Sequence, residues 1–251
     1  MTISDDKPNR LIKLERLSKV YADNCIFSGV TAEVLRGEFI CIVGSSGSGK
    51  TTLLRCLLGV EKVSSGLIYQ ADELKFSYVP QQPTLLPWKN TIDNVISGLV
   101  DNVADGIGRA RKMLEIVGLT GKDKLLPRQL SGGMQQRVSF ARALVSEPDI
   151  VFMDEPFSAL DEMRRTELGR LVFDLWNNSG ITFIMNTHSV EDACMLSSKV
   201  WIMAAGQRGN GSRLQVINTW MKGESLEFRK SSNRVGIVRD LVVRGMAVSA
   251  A

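Results

Sequence analysis

Two glycine-rich segments carry the strongest chemical signal in this chain of 251 residues. The first reads Gly44-Ser45-Ser46-Gly47-Ser48-Gly49-Lys50-Thr51 and is followed by Thr52. Glycines let such a loop curl around phosphate oxygens with no Cβ in the way. Its N–H groups then donate to the anion, helped by the dipole of the helix that follows. In this pattern the lysine, Lys50, reaches the β- and γ-phosphates, and Thr51 offers a hydroxyl to Mg²⁺. Alone, the segment leaves kinases, GTPases and many ATPases open. The second segment reads Leu130-Ser131-Gly132-Gly133-Met134-Gln135-Gln136-Arg137.

Both segments need particular elements around them. Phe39-Ile40-Cys41-Ile42-Val43 is a short, wholly apolar run that reads as a buried parallel strand feeding the first loop. Beyond Thr51, the apolar residues Leu53, Leu54, Leu57 and Leu58 recur at helical spacing, and Gly59 closes the helix. Strand, glycine loop and helix are the context a phosphate site requires. Ser131 sits where a helix N-cap belongs, and Pro148 lies just past that helix's end. Asn90 to Ser146 reads as mostly helical, whereas Pro80 to Pro87 cannot be regular for long. Leu11 to Gly37 suggests antiparallel strands.

Two further apolar runs end in polar residues. Ile150-Val151-Phe152-Met153 runs into Asp154-Glu155, and Ile181 to Met185 runs into Asn186-Thr187-His188. The carboxyl ends of parallel strands are where α/β folds place their sites. From about Met221 the chain changes character; Val235, Val238 and Leu241 suit a short amphipathic helix, and the last residues are small.

Composition excludes several alternatives. The single histidine, His188, rules out multi-histidine metal sites. Cys25, Cys41, Cys56 and Cys194 form no C-x-x-C pair and read as thiols in a reducing compartment. A net charge of +4 is too mild to indicate nucleic acid as a partner. No secretory leader pattern and no apolar run of membrane-spanning length are visible, so a cytosolic location is expected.

Leu130 to Arg137 resembles the signature of ATP-binding cassette (ABC) proteins, and the likeness runs from about Leu11 to Val200. It implies an α/β fold: a P-loop NTPase (RecA-like) core with an antiparallel β subdomain and an inserted α-helical signature subdomain. The ATPase domain would span 10–220, with the helical subdomain at about 88–147 and an atypical tail at 221–251. The resemblance gives Asp154 a role in holding Mg²⁺ and makes Glu155 the general base. Pro156-Phe157-Ser158-Ala159-Leu160-Asp161 matches the family's D-loop. Gln81 matches its Q-loop glutamine, sensing Mg²⁺ and the γ-phosphate, with Gln82 a rival one position away. His188 matches the switch histidine that contacts the γ-phosphate, and Tyr21 the aromatic that stacks on adenine.

In this family Ser131, Gly132, Gly133 and Gln135 cover the nucleotide of a second copy, so two ATPase subunits, alike or homologous, close around two ATPs. The pair drives an integral-membrane permease from the cytoplasmic face of the inner membrane. Leu85-Leu86-Pro87-Trp88 and the segment Met153 to Asp161 resemble the nitrate/sulfonate/taurine branch of importers, which also use a solute-binding protein. Trp88 is then a docking point for the permease. The stretch Ala204 to Ser212 and the order Glu191-Asp192-Ala193 depart from that branch. An exporter, a lipid transporter or a non-transport ABC ATPase is the alternative; coiled-coil insertions and a second cassette, marks of the repair and translation members, are not visible.

Overall fold

The computed structural model describes residues 9–99, 105–204, 211–220, 223–231 and 234–247. The final small residues 248–251, and 205–210 of the atypical stretch after Ala204, lie outside these. A six-stranded sheet forms the centre, in the order β5-β6-β7-β3-β8-β9. Its strands are β3 (Phe39–Gly44), β5 (Phe76–Val79), β6 (Ile150–Asp154), β7 (Thr182–Asn186), β8 (Lys199–Ala204) and β9 (Arg213–Asn218). All neighbours run parallel except β9, which is antiparallel to β8.

The apolar runs have a simple cause: both faces of this sheet are covered. On β3, Phe39, Cys41 and Val43 enter one core and Ile40 and Ile42 the other, following the two-residue period of a strand. The first core lies under α4 (Gly132–Leu144), α5 (Glu162–Asn178) and α6 (Val190–Leu196). The second lies under α1 (Lys50–Leu57) and a three-stranded antiparallel sheet. That sheet is built from β1 (Arg10–Tyr21), β2 (Asn24–Leu35) and β4 (Ser65–Gln70), with β1 in the middle. Ser212 ties the two sheets together, accepting from Ser28 N at 3.1 Å and donating to Ile26 O at 2.8 Å.

The helical region is more broken than its pattern suggests. α2 covers only Thr91–Ile96 and α3 Gly106–Ile116, and a 3₁₀ turn at Pro127–Gln129 precedes α4. Caps fix the starts: Asn90, Asp105 and Ser131 each accept a hydrogen bond from a backbone N–H of the first turn.

The C-terminal helices α7 (Leu226–Ser231) and α8 (Arg234–Ala247) pack back on the core, α8 against α6 and β8. The expected amphipathic helix is present, but its buried contact is Val242; Leu241 is 45% exposed. Arg229 anchors this region. It is fully buried, and its Nη1 donates to the carbonyls of Met195 (2.7 Å), Leu196 (3.1 Å) and Ser197 (3.4 Å) at the end of α6. A cation suits a helix C-terminus, and the rings of Phe173, Trp176 and Trp220 surround the guanidinium. Arg229→Met keeps the stem but leaves those carbonyls buried without this donor. We expect a loss of about 3 kcal/mol in urea unfolding; a loss under about 0.5 kcal/mol would show the anchor to be dispensable.

Candidate nucleotide site

Three adjacent strands end at one place. Gly44 closes β3, Asp154 closes β6 and Asn186 closes β7, which lies between them. The glycine loop leaves β3 and enters α1 at Gly49, whose φ of +89° few side chains tolerate. No side chain caps α1, which keeps the first N–H groups open to an anion. Gly44 is required for another reason: a Cβ there would lie 2.6 Å from the Met203 carbonyl oxygen on β8. Ser45, Ser46 and Gly47 are exposed and Ser48 is buried; Thr51 and Thr52 are half-buried on the first turn of α1.

Lys50 is buried and turned into its own loop, donating to Gly44 O at 3.0 Å and Ser45 O at 2.9 Å. Burial draws its pKa below the ordinary lysine range, while the carboxylates of Glu155 and Asp154 oppose that shift. Thr51 Oγ1 lies 3.4 Å from Asp154 Oδ1. Tyr78 on β5 donates to Asp154 Oδ2 at 3.1 Å, and burial beside that carboxylate pushes the phenol up to about 12.

Glu155 sits next to this pair with a φ of +47°, in the left-handed region. Such a conformation costs on the order of 1 kcal/mol for a residue other than glycine. His188 Nε2 lies 2.5 Å from Glu155 Oε1. Gln81 Nε2 reaches Glu155 Oε2 at 3.4 Å and Ser158 Oγ at 3.1 Å. Of the two adjacent glutamines it is therefore Gln81 that faces the acidic pair. Asp154, Glu155, His188, Gln81, Lys50 and Thr51 thus meet around one point. Tyr21 lies at the β1–β2 turn, 45% exposed, with Lys19 Nζ 4.4 Å from its ring centroid. The same hairpin touches the loop: Ile26 Cγ2 lies 2.6 Å from where a Cβ on Gly49 would be.

The signature residues are elsewhere. Ser131 caps α4 by accepting from Met134 N, and Gly132 and Gly133 form its open first turn. Ser131 and Gly133 border a groove of about 250 Å³ with Leu160 and Arg164. Gln135 is committed to its own loop, donating to Pro127 O at 3.0 Å and Leu130 O at 3.3 Å. α4 also grips the irregular segment that carries Gln81. Arg142 donates to Thr84 O (2.7 Å) and Thr84 Oγ1 (3.2 Å), and the buried Gln136 reaches Pro80 O at 3.5 Å. Asn94, fully buried, accepts from Leu86 N at 2.7 Å and donates to Leu86 O at 3.1 Å. These ties, and Asn186, were not foreseen from sequence; their only local trace is a polar residue inside an otherwise apolar pattern.

Residues 27–158 match the family model described as ABC transporter. The chain belongs to the ABC transporter family. The aliphatic sulfonates import ATP-binding protein of Nocardia farcinica is 36% identical, over 82% of this chain and 85% of its own length. Relatives of the same description in Pseudomonas fluorescens and Albidiferax ferrireducens are 38% and 39% identical. Among solved structures, a component of the cbiONQ ABC transporter complex of Clostridium perfringens superposes with a TM-score of 0.75 at 25% identity, covering 96% of this chain and 95% of that one. As a member of the family this ABC protein is an ATP-binding, ATP-hydrolysing transport subunit, and the P-loop α/β architecture expected from its sequence is the one observed.

Proposed function

We propose that this ABC ATPase energises import of a small organic anion, an aliphatic sulfonate by preference, through a separate membrane permease. The observation that carries the reading is the sulfonate-import description shared by relatives 35–39% identical over most of this chain. Among the described residues no helix is long and apolar enough to cross a membrane, and this reading gives the path to the permease. Trp88, 74% exposed beside the Gln81 segment, is the docking point we assign to that permease at the cytoplasmic face. A solute-binding protein would deliver the anion on the far side.

The site residues fit ATP with Mg²⁺. Thr51 and Asp154 offer hard oxygen donors 3.4 Å apart, and among the described residues no cluster of three or more His, Cys, Asp or Glu exists. Two protein oxygens suit an ion that fills its sphere with water and phosphate, as Mg²⁺ does. When bound there with the nucleotide, the ion would neutralise charge on the phosphates. Gln81 would report its presence to the 80–90 segment. Lys50 leaves its loop carbonyls for the β- and γ-phosphates. Glu155 orients the attacking water and takes its proton, while His188 bridges that carboxylate and the γ-phosphate. Tyr21 stacks on adenine. Ser131 and Gly132 are exposed at the start of α4 and Gly133 partly so, which suits a second subunit, alike or homologous, closing over the nucleotide; Gln135 would leave the carbonyls of Pro127 and Leu130 to join them. On this reading residues 10–220 form the ATPase domain, 88–147 its helical insert and 221–251 a tail, whose described helices α7 and α8 pack on the core.

In cells whose sulfur must come from an aliphatic sulfonate, loss of this chain should abolish growth, and the parent gene should restore it. Trp88→Ala should lower permease co-purification at least about fivefold and leave ATP affinity within twofold. Undiminished sulfonate uptake without the chain would move the assignment to the alternative, a non-import ABC system.

A further inference from the structure

We infer that Asn186 is a positioning residue that holds the metal-side oxygens and the general base in one frame. The inference rests on the proposed roles of Thr51, Asp154 and Glu155. β7 lies between the phosphate-loop strand and the acidic strand, so its last residue neighbours both; Asn186 is in register with Ile42 on β3 and Asp154 on β6. It is fully buried at the end of the apolar run Phe183-Ile184-Met185. A buried amide without partners would be costly, and this one has a partner for each polar atom. Nδ2 donates to Asp154 Oδ1 at 2.7 Å and to Thr51 Oγ1 at 3.2 Å. Oδ1 accepts from Glu155 N at 2.7 Å, and the Asn186 backbone carbonyl shares that N–H at 3.2 Å.

One side chain therefore touches both metal-side groups and the peptide nitrogen of the base. The donors matter because Thr51 and Asp154 come from elements distant in sequence, and their direct contact is a long one of 3.4 Å, which the two Nδ2 bonds reinforce from between them. The acceptor matters because Glu155 has left-handed backbone, a conformation that persists where its surroundings hold it. An aspartate could not do this, having no hydrogens for Asp154; a valine side chain would offer nothing to any of the three and would leave Glu155 N only the backbone carbonyl at 3.2 Å.

The test reads metal binding directly. Mn²⁺ bound to the protein–ATP complex is titrated by electron paramagnetic resonance in the parent and in Asn186→Val, and ATP affinity is measured in EDTA. The expected result is at least about tenfold weaker Mn²⁺ binding in Asn186→Val, with metal-free ATP affinity within threefold of the parent. Asn186→Thr, which replaces the amide by a single hydroxyl able to donate or accept, should fall between them. Mn²⁺ affinity in Asn186→Val equal to the parent overturns the inference. If the valine variant does not fold, Asn186→Thr decides: at least threefold weaker Mn²⁺ binding supports the inference and parent-like binding overturns it. Failure of the underlying site assignment looks different, because the parent itself would then show no nucleotide-dependent Mn²⁺.

Discussion

Glu155→Gln should slow ATP turnover by about 10²–10⁴-fold while leaving ATP binding intact. The amide keeps the length and shape of the side chain but cannot accept the proton of the attacking water. Its neighbours tolerate the change: His188 at 2.5 Å can still meet the one amide oxygen, and Gln81 at 3.4 Å can turn its own carbonyl oxygen to accept from the new NH2. Glu155 is held mainly through its backbone N–H, which the substitution does not touch. Bound ATP should then persist, and with it the closed two-subunit form. Single-turnover hydrolysis and size-exclusion chromatography with ATP present are the measurements. A variant that turns over near the parental rate would remove Glu155 from its assigned role. So would one that hydrolyses slowly and never accumulates a dimer, since the composite site would then be in doubt.

Lys50→Ala should act earlier, at binding. The ammonium is buried and already satisfied by two loop carbonyls, so phosphate must win it from Gly44 and Ser45. That exchange is favourable because each new bond joins a cation to an anion, worth roughly 1.5–3 kcal/mol against the weaker neutral acceptor. Losing it corresponds to about 10- to 100-fold in affinity. The effect should appear in titrations with a fluorescent ATP analogue, even in EDTA, which separates it from defects on the metal side. Affinity within twofold of the parent would mean that the loop N–H groups alone carry the phosphate.

The sequence disclosed the site unevenly, and the physics explains the pattern. β3, β6 and β7 were readable because strands buried on both faces must be apolar throughout, so the first polar residue marks the strand end. Ser131 is readable as a cap because capping is local chemistry; it accepts from Met134 N at 3.4 Å. Asn186 was quoted only as part of a strand end. Its importance comes from the order β6-β7-β3, which brings Thr51 and Asp154 to either side of it, and no local pattern encodes strand order. Arg229 was missed for a similar reason. A lone arginine in a short helix reads as solvated, and only the docking of that helix on α6 buries it. On α8 the expectation fails at Leu241, because the choice between Leu241 and Val242 depends on the angle at which the helix lies on β8.

α4 has a mechanical meaning. It is one unbroken rod of 13 residues, about 20 Å long. Its front end carries the serine-glycine turn, while Gln136 and Arg142, further along, are fastened to the backbone of Pro80 and Thr84. Force applied to the loop at those fasteners becomes torque on the rod, and the tip swings. Closure at the tip, in turn, tugs the loop. The helix is thus a bell-crank, sending motion both ways between the two ends of the machine.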